Sequence, residues 1–506
     1  MPSAPAPSPE LLALADQVLQ PGFRGTTAPD WIRRRLSGGL ASVLLFGGNV
    51  RDRAQTLALT DALRVENPDV LIAVDEEGGD ITRLEAATGS SYPGNLALGT
   101  VDDPELTAAV AHSVGGELRA VGIGLDYAPD ADVNSNPGNP VIGVRSFGAD
   151  PDLVARHTAA WIRGMHDAGV AACAKHFPGH GDTDTDSHLA LPTVAMDADR
   201  IAELALPPFR AAVAAGVRAV MTAHLLIPAY DTEHPATVSP RIITGLLREE
   251  LGFEGLIVSD AVEMQAVRAR YGLTGAAVRA LAAGVDLVCL GDRSEDAEYA
   301  QLRSAVVDAV VRGELPEARL AEAAARVTAF AAWQRALAAS VPAPVPDRAL
   351  GLDAARRALR VTAADPAVLP LQVPPVVVEF GVPGTVVEGD GVPWGLGGAL
   401  TGLMPGTVRT TLPALAPYDP DRAREILAGA EGRPLVLAVR DAHRRPAVRE
   451  WLDALLAARP DAVTVELGVP QPDSGATGAA RIDTHGAARV CGQAAAEALA
   501  GRRLAS

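Results

Sequence analysis

The sequence predicts an α/β protein in which a (β/α)8 TIM-like barrel is followed by a smaller α/β sandwich-type domain. In the first two-thirds of the 506 residues, short apolar runs alternate with longer amphipathic segments, a pattern typical of a parallel sheet with crossover helices. Eight such units fit a closed barrel, and the ionisable residues that directly follow several runs fit its C-terminal rim. The eight apolar runs, predicted as strands, are residues 17–23, 42–46, 70–74, 124–128, 171–175, 219–223, 256–259 and 286–290.

The amphipathic segments between these runs predict the helices of the barrel. An open, doubly wound sheet is the alternative arrangement of the same elements. No Gly-x-Gly-x-x-Gly motif follows the early strands, so dinucleotide binding is not predicted. The predicted helices are residues 55–64, 104–121, 151–168, 201–215 and 240–250.

A proline-rich stretch, residues 341–346, follows a helical segment that ends near Ala339 and predicts a linker. The α/β pattern then restarts. We therefore expect a catalytic barrel over 1–340, a linker over 341–350 and a C-terminal α/β domain over 351–506, whose strand order the pattern does not define. In that domain, strands are predicted at 375–380, 434–439 and 462–467, and helices at 446–458 and 487–500.

The composition narrows the class of protein. A formal net charge of −18 without a basic block argues against a nucleic acid or an anionic membrane as a partner. Cys173, Cys289 and Cys491 show no CxxC spacing, so neither a disulfide framework nor a cysteine zinc site is predicted. The N-terminus lacks the basic start and apolar core of a signal peptide, and no apolar stretch reaches the ~18 residues that span a bilayer. We expect a cytoplasmic enzyme.

Residues 175–188 carry the strongest functional signal. They read Lys-His-Phe-Pro-Gly-His-Gly-Asp-Thr-Asp-Thr-Asp-Ser-His and follow the apolar run 170–174. Pro178, Gly179 and Gly181 exclude a continuous helix or strand, so a loop rich in ionisable groups is expected above a buried strand. Active sites are commonly built in this way, with the chemistry on loops that a rigid scaffold positions.

Ionisable residues also follow other predicted strands. Asp75 comes after the third run, Asp130 and Asp132 after the fourth, His224 after the sixth and Asp260 after the seventh. Packing does not explain them, because each would need solvent or a partner. Convergence on one rim of a barrel explains them together.

The loop resembles the signature of glycoside hydrolase family 3, and specifically that of its β-N-acetylglucosaminidase branch. Residues 175–181 and 186–188 match Lys-His-Phe-Pro-Gly-His-Gly and Asp-Ser-His. Residues 75–79 are similar to the family's Asp-Gln-Glu-Gly-Gly, 139–148 to its Asn-Pro-Val-Ile-Gly-x-Arg-Ser-Phe, and 258–264 to its nucleophile segment. Four matches in the family order make the resemblance specific.

The resemblance implies a retaining double displacement with Asp260 as the nucleophile. It implies that His188, oriented by Asp186, is the general acid and base in place of a second carboxylate. Both roles suit the chemistry, because a strand-end carboxylate can attack the anomeric carbon and a carboxylate can fix an imidazole tautomer. Substrate binding is implied for Asp75, Arg83, Arg145, Lys175 and His176.

Each role has a structural alternative. Asp260 could cap a following helix, and His188 could be a solvated loop residue. Lys175 and Arg83 could form structural ion pairs with Asp75.

The expected substrate is a small carbohydrate, terminal β-linked N-acetylglucosamine in cell-wall (muropeptide) or chitin-derived fragments, cleaved without a cofactor. A β-glucosidase of the same family and a phosphorylase that uses phosphate as acceptor are the enzymatic alternatives. An inactive sugar-binding barrel is the alternative from outside the enzymes.

No metal site is predicted in the loop. Aspartates alternate across residues 182–186 like the first ligands of a calcium loop, but Ser187 and Thr193 stand where Gly and Glu are required. The three histidines of residues 176–188 lack the HExxH spacing of a zinc site.

Two positions depart from the family pattern. Glu76 replaces the usual Gln, and Asp80 stands where many members carry Arg, so the aglycone preference does not follow from the resemblance. Residues 441–443 and 484–492 are similar to the C-terminal domain of two-domain members, where packing is the expected role.

Overall fold

The structure, a computed structural model, describes residues 8–381, 393–413, 415–471 and 478–504. The chain forms two compact units. The first comprises Met1–Glu77, Pro104–Ile142 and Gly148–Pro346, and the second comprises Gly78–Asp103, Gly143–Phe147 and Asp347–Ser506. Residues 78–103 and 143–147, which the predicted boundaries assign to the barrel, therefore belong to the second unit. Domain boundaries predicted as continuous ranges cannot assign two short internal segments of the first 340 residues to the second unit.

The first unit is a ring of eight parallel strands. Strands β2 to β7 pair in sequence order, and β1 pairs with β8. Parallel bridges from Gly22 to Leu44 and from Val258 to Leu287 join these two sheets, so the ring closes. The predicted (β/α)8 barrel is confirmed. Its strands are β1 Leu19–Gln20, β2 Ser42–Leu45, β3 Leu71–Val74, β4 Leu125–Asp126, β5 Ala171–Phe177, β6 Ala219–Thr222, β7 Leu256–Val258 and β8 Val288–Cys289.

The helices agree with the predicted amphipathic segments, with two differences. The predicted helix 201–215 is two helices, because Pro207 cannot donate a backbone hydrogen bond and starts a new one. The predicted helix 240–250 is a π-helical segment, Arg241–Glu250. Through Ser340 the helices are α1 Pro9–Gln17, α2 Asp30–Ser37, α3 Arg53–Glu66, α4 Asn95–Val101 (in the second unit), α5 Pro104–Ala120, α6 Pro151–Asp167, α7 Ala198–Leu204, α8 Pro207–Ala214, α9 Gln265–Ala283, α10 Asp296–Val311 and α11 Glu317–Ser340.

The barrel interior is filled by alternate side chains of its strands, as the pleat of a strand requires. Small residues such as Ala73, Ala171 and Ala219 lie beside larger ones, and Phe330 of α11 packs against the same cluster. All three cysteines lie among the described residues as buried free thiols, in agreement with a packing role. No helix in the described part of the chain has the length and apolar character needed to cross a membrane.

The second unit contains a six-stranded sheet with the order β11-β10-β12-β13-β14-β9, parallel except for β9. The three predicted strands are present as β10, β12 and β13. The sequence pattern missed β9 and β11, whose side chains are mostly exposed, and the four-residue β14. The strands are β9 Arg360–Ala363, β10 Val376–Phe380, β11 Val408–Leu412, β12 Leu435–Val439, β13 Val463–Glu466 and β14 Ala480–Asp483.

Helices cover both faces of this sheet. Alternate residues of β10 and β12 enter two separate apolar clusters, so the unit has α/β/α layers. Helices α13 and α16 contribute to one cluster, and α14 and α15 contribute to the other. The helices are α12 Arg348–Ala358, α13 Gly397–Leu403, α14 Pro420–Gly429, α15 Pro446–Ala458 and α16 Arg489–Ala500.

Candidate active site

The C-terminal rim of the barrel carries the ionisable residues that the sequence placed at the ends of the strands. Because all eight strands are parallel, the segments that follow them emerge on one side. Asp75 follows β3, Asp132 follows β4, His224 follows β6 and Asp260 follows β7. Strand β5 continues to Phe177, so Lys175 and His176 are among the last residues of the strand and do not follow it.

Lys175 forms a buried ion-pair cluster. Its Nζ lies 2.7 Å from Asp75 Oδ1 and 2.7 Å from Glu77 Oε1. Only 2% of the lysine side chain is exposed, whereas Asp75 keeps 19%, so Asp75 is the member that faces solvent. The ion pair between Lys175 and Asp75, raised above as the structural alternative, is present. A buried ammonium requires such partners, and Glu77 is one that the sequence reasoning left without a role.

His176 is fixed by the carboxylates of the segment after β4. Its Nδ1 lies 2.7 Å from Asp132 Oδ2 and 3.8 Å from Asp130 Oδ2. Asp132 also accepts the backbone N–H of His180 at 2.6 Å. Burial raises the pKa of Asp132, but the adjacent His176 outweighs it and the pKa lies below its ordinary value. The ionised Asp132 thus orients the His176 ring and anchors the start of the loop.

Among the described residues, one group of carboxylate and imidazole atoms is close enough together to hold a metal ion. It consists of Asp130, Asp132 and His176, whose ligand atoms lie within 4.8 Å of one another. His176 and Asp132 of this group are joined by the 2.7 Å hydrogen bond described above. His180 and His188 are not in the group, so it differs from the histidine triad considered from the sequence.

His180 braces the loop from within. Its Nδ1 lies 2.8 Å from Thr183 Oγ1, and its Nε2 lies 3.1 Å from Ser187 Oγ. Burial lowers the pKa of His180 to about 4, so the ring is neutral at pH 7. Its role is to hold the loop through these two hydrogen bonds. The backbone of Gly181 packs directly against the carbonyl oxygen of Val133. Only glycine fits at this position, because a Cβ would overlap that oxygen. These contacts hold the loop against the segment after β4.

Asp186 and His188 form the predicted pair at the end of this loop. The His188 Nδ1 lies 2.7 Å from Asp186 Oδ1, and the His188 backbone N–H reaches the same oxygen at 2.8 Å. Burial raises the pKa of Asp186, but its hydrogen bonds from His188 outweigh it and the pKa lies below its ordinary value. An ionised Asp186 needs a donor at Nδ1, which leaves Nε2 of the half-buried ring for another partner.

Asp260 follows β7 and accepts the backbone N–H of Ala261 at 2.8 Å. Burial raises the pKa of Asp260, but the imidazoles of His224, His176 and His188 outweigh it, so the pKa lies below its ordinary value. The barrel therefore brings an ionised Asp260 into the neighbourhood of the loop histidines. The helix-cap alternative is wrong, because α9 begins at Gln265 and Met264 occupies its N-cap position.

His224, which the sequence placed after the sixth predicted strand, is completely buried. Its Nδ1 lies 2.8 Å from Thr237 Oγ1 and its Nε2 lies 3.0 Å from the carbonyl oxygen of Ala261, the residue after Asp260. The sequence carried no sign of this link, because Thr237 lies thirteen positions downstream, in a single 3-10 turn, Ala236–Val238.

Arg83 and Arg145, the other two residues implied in substrate binding, lie on the segments 78–103 and 143–147 of the second unit. Each is 7% exposed. They are not among the residues that the first unit itself brings together.

Asp80, one of the departures from the family pattern, has a structural role within the second unit. Its Oδ2 lies 2.7 Å from an Nη atom of Arg440, and its Oδ1 accepts the backbone N–H of Ala487 at 2.7 Å. Asp80 thus ties the segment 78–103 to the loops that follow β12 and β14.

Comparisons with known proteins agree with this fold and site. Residues 20–330 match the family described as Glycosyl hydrolase family 3 N terminal domain. The chain is similar to a "Beta-hexosaminidase A" of Pseudoalteromonas piscicida, 34% identical over 60% of this chain and 55% of that one. It is similar to a "Beta-hexosaminidase" of Stenotrophomonas maltophilia, 39% identical over 54% of this chain and 82% of that one. The chain thus spans little more than half of the Pseudoalteromonas relative.

A solved structure covers both units. It is a glycoside hydrolase family 3 β-N-acetylglucosaminidase from Paenibacillus sp. str. FPU-7, 33% identical, with a TM-score of 0.87 over 98% of this chain and 97% of that one. The predicted resemblance and the prediction of a glycoside hydrolase are confirmed. The protein therefore belongs to glycosyl hydrolase family 3.

Proposed function

We propose that the protein is a retaining exo-β-N-acetylglucosaminidase that works through a covalent glycosyl-enzyme on Asp260. The observation that carries the proposal is the 2.7 Å hydrogen bond between Asp186 and His188, on a loop of the barrel whose rim also carries Asp260. Relatives and a structural neighbour named as β-hexosaminidases and as a β-N-acetylglucosaminidase support the same sugar.

In the first step, an Asp260 carboxylate oxygen forms a bond to the anomeric carbon while the bond from that carbon to the leaving oxygen breaks. The ionised state of Asp260 suits this attack, and its negative charge stabilises the oxocarbenium-like transition state. The protonated His188 ring donates the proton on Nε2 to the leaving oxygen. The product of the step is a glycosyl ester on Asp260 and a free aglycone.

In the second step, water attacks the anomeric carbon and displaces the Asp260 carboxylate. Neutral His188 accepts the proton of the water on Nε2, while Asp186 keeps the other proton on Nδ1 and stabilises the imidazolium that forms. Two displacements at one carbon return the β configuration.

The sugar is proposed to contact Asp75 and His176 at the rim, with Lys175 holding Asp75 in place. A direct contact of Lys175 with the sugar is proposed from the family resemblance. Arg83 and Arg145 are proposed as further hydroxyl or amide partners from the family resemblance. Charge-assisted hydrogen bonds of this kind fix a polar ring strongly. The proposed substrates are terminal β-N-acetylglucosaminides from cell-wall or chitin-derived fragments, and a cytoplasmic location stays a prediction.

The test is hydrolysis of 4-nitrophenyl β-N-acetylglucosaminide beside the matching β-glucoside, with the configuration of the first-formed sugar read by proton NMR. We expect the β anomer of N-acetylglucosamine first and little glucoside cleavage. An α product contradicts the retaining mechanism, and preferred cleavage of the glucoside assigns a β-glucosidase. Sugar 1-phosphate formed in phosphate buffer assigns a phosphorylase, and absence of turnover assigns an inactive barrel.

A further inference from the structure

A row of buried side chains connects the end of β6 to the residue after Asp260. Thr222 Oγ1 lies 2.8 Å from Thr237 Oγ1, which lies 2.8 Å from His224 Nδ1. The opposite ring nitrogen, His224 Nε2, lies 3.0 Å from the Ala261 carbonyl oxygen. Thr222, Thr237 and His224 have no exposed surface, so water does not compete for the contacts among these three side chains.

The hydrogen-bond partners define the direction of the row. The Ala261 carbonyl can only accept, so His224 Nε2 must carry a hydrogen. Burial lowers the pKa of His224 and outweighs the opposing effects of Asp260 and Ala261, so the ring is neutral near neutral pH. Nδ1 then accepts the proton of the Thr237 hydroxyl, and Thr222 donates to Thr237. The Ala223 carbonyl oxygen, 2.9 Å from Thr237 Oγ1, accepts from the same hydroxyl, so it shares that single proton with His224 Nδ1.

The far end of the row fixes the backbone beside Asp260. Ala261 donates its N–H to Asp260 Oδ1 at 2.8 Å, and its carbonyl accepts from His224. On the other side, the Ser259 N–H donates to the carbonyl of Leu287 at 2.9 Å, and Ser259 Oγ accepts the Cys289 N–H at 3.0 Å. Asp260 is thus held between β8 on one side and His224 on the other.

We propose that His224 is a positioning residue for Asp260, which it holds in its attack geometry through Ala261, and that Thr237 supports the ring at its opposite nitrogen. The inference rests on the proposed role of Asp260 as nucleophile. Attack on the anomeric carbon needs the carboxylate oxygen at about 3–3.5 Å and correctly aligned, and a 1 Å displacement can cost about 10²-fold in rate. An unanchored Ala261 would permit such a displacement.

The experiment measures the nucleophilic step alone. The probe is 5-fluoro-β-N-acetylglucosaminyl fluoride, from which Asp260 displaces fluoride without an acid and whose ring fluorine slows hydrolysis of the resulting ester. The rate of adduct formation is followed by intact-protein mass spectrometry, and binding of free N-acetylglucosamine by calorimetry. The variants are His224→Leu, which removes both hydrogen bonds, His224→Gln, whose amide N–H reaches the position of Nε2, and His224→Asn, whose amide reaches only the position of Nδ1.

We expect His224→Leu to form the adduct about 10²-fold more slowly while its affinity for N-acetylglucosamine changes by less than about threefold. His224→Gln should recover to within about tenfold of the wild type, and His224→Asn should stay slow. Adduct formation by His224→Leu at the wild-type rate overturns the inference, as does equal rescue by Gln and Asn. Absence of any adduct in the wild type overturns the proposed function itself and removes the basis of the inference.

A matched control separates positioning from general destabilisation. His157, also completely buried, bonds Thr107 at 2.8 Å from within α6, so His157→Leu removes a buried imidazole elsewhere in the barrel. It should lower the unfolding midpoint without slowing adduct formation. If His224→Leu does not fold, Thr237 decides: Thr237→Val should slow the adduct and Thr237→Ser should not, and equal rates for the two overturn the inference.

Discussion

Asp186 accepts two hydrogen bonds from His188 on a single oxygen, one from the ring Nδ1 at 2.7 Å and one from the backbone N–H at 2.8 Å. The backbone bond fixes the turn, and the ring bond fixes the tautomer, so the two residues act as one unit. The half-buried His188 side chain is 18% exposed, and Nε2 is the ring nitrogen that Asp186 does not bond.

Replacement of His188 by Ala should slow the hydrolysis of a substrate more strongly the poorer its leaving group is. Loss of the proton donor costs about 10²–10⁴-fold where protonation assists departure, and much less for a 2,4-dinitrophenyl leaving group. A series of aryl N-acetylglucosaminides measures this as a steeper dependence of kcat/KM on leaving-group pKa. The control is Asp184→Asn, an exposed position in the same loop, which should retain the wild-type slope. An unchanged slope in His188→Ala removes the acid role.

Replacement of Lys175 by Met should destabilise the barrel. It leaves Asp75 and Glu77 without their shared cation, and breaking a buried ion pair from one side costs about 3–5 kcal/mol. Urea denaturation measures the free energy of unfolding. Adding Glu77→Gln should recover part of the loss, because one buried charge is then removed. If the single variant is as stable as the wild type, the cluster has no structural role.

In the pH profile of kcat/KM, the decrease on the acid side should occur only at low pH. Asp260 and Asp186 both have pKa values below the ordinary value of about 3.9, so both stay ionised until the pH falls through those lower values. Their favourable contribution to stability is likewise present above the ordinary Asp pKa and is lost as the pH falls through the folded pKa. Initial rates with an unfolding check at each pH test this. A limb at pH 5 to 6 in folded protein would contradict it.

Glu466 in the second unit should make stability fall as the pH rises. Burial, reinforced by the charge of Asp441, raises the pKa of Glu466 to about 8, above its unfolded value of 4.5. The folded state therefore binds the proton more tightly, and the free energy of unfolding decreases between about pH 4.5 and 8. Glu466→Gln should flatten this decrease and raise Tm more at pH 8 than at pH 5. Equal shifts of Tm at both pH values would contradict the buried acid.

Prolonged dialysis against a chelator should leave activity unchanged, because the proposed mechanism uses only side chains. Activity that is lost and then restored by one divalent cation contradicts this expectation. It would point to Asp130, Asp132 and His176, and Asp130→Asn should then abolish the restoration.

The fold was predictable to the extent that strands are continuous apolar runs. All eight barrel strands lie within their predicted runs except for two extra residues at the end of β5, because strands buried on both faces show such runs. Strands β9 and β11 were not predicted, because their side chains are mostly exposed and their sequences contain no apolar run. The assignment of residues 78–103 to the second unit was not predicted, because a sequence pattern identifies helices and strands without showing which unit they pack in.

The site was predictable where its residues are adjacent in the chain and hidden where they are not. Asp186 and His188 are two positions apart, so their pairing followed from a motif and a short turn. His224 was visible as a strand-end residue, but its bonds to Thr237 and Ala261 join three separate segments that only the folded barrel brings together.

The identity of the residue that carries the glycosyl ester tests the proposed mechanism most sharply. Wild-type protein is incubated with the 5-fluoro probe, digested, and its peptides are sequenced by tandem mass spectrometry. The proposed mechanism predicts one added fluoro-N-acetylglucosaminyl group, on Asp260, and none in Asp260→Asn. A label on any other residue, or turnover of the β-N-acetylglucosaminide by Asp260→Asn at the wild-type rate, would contradict it.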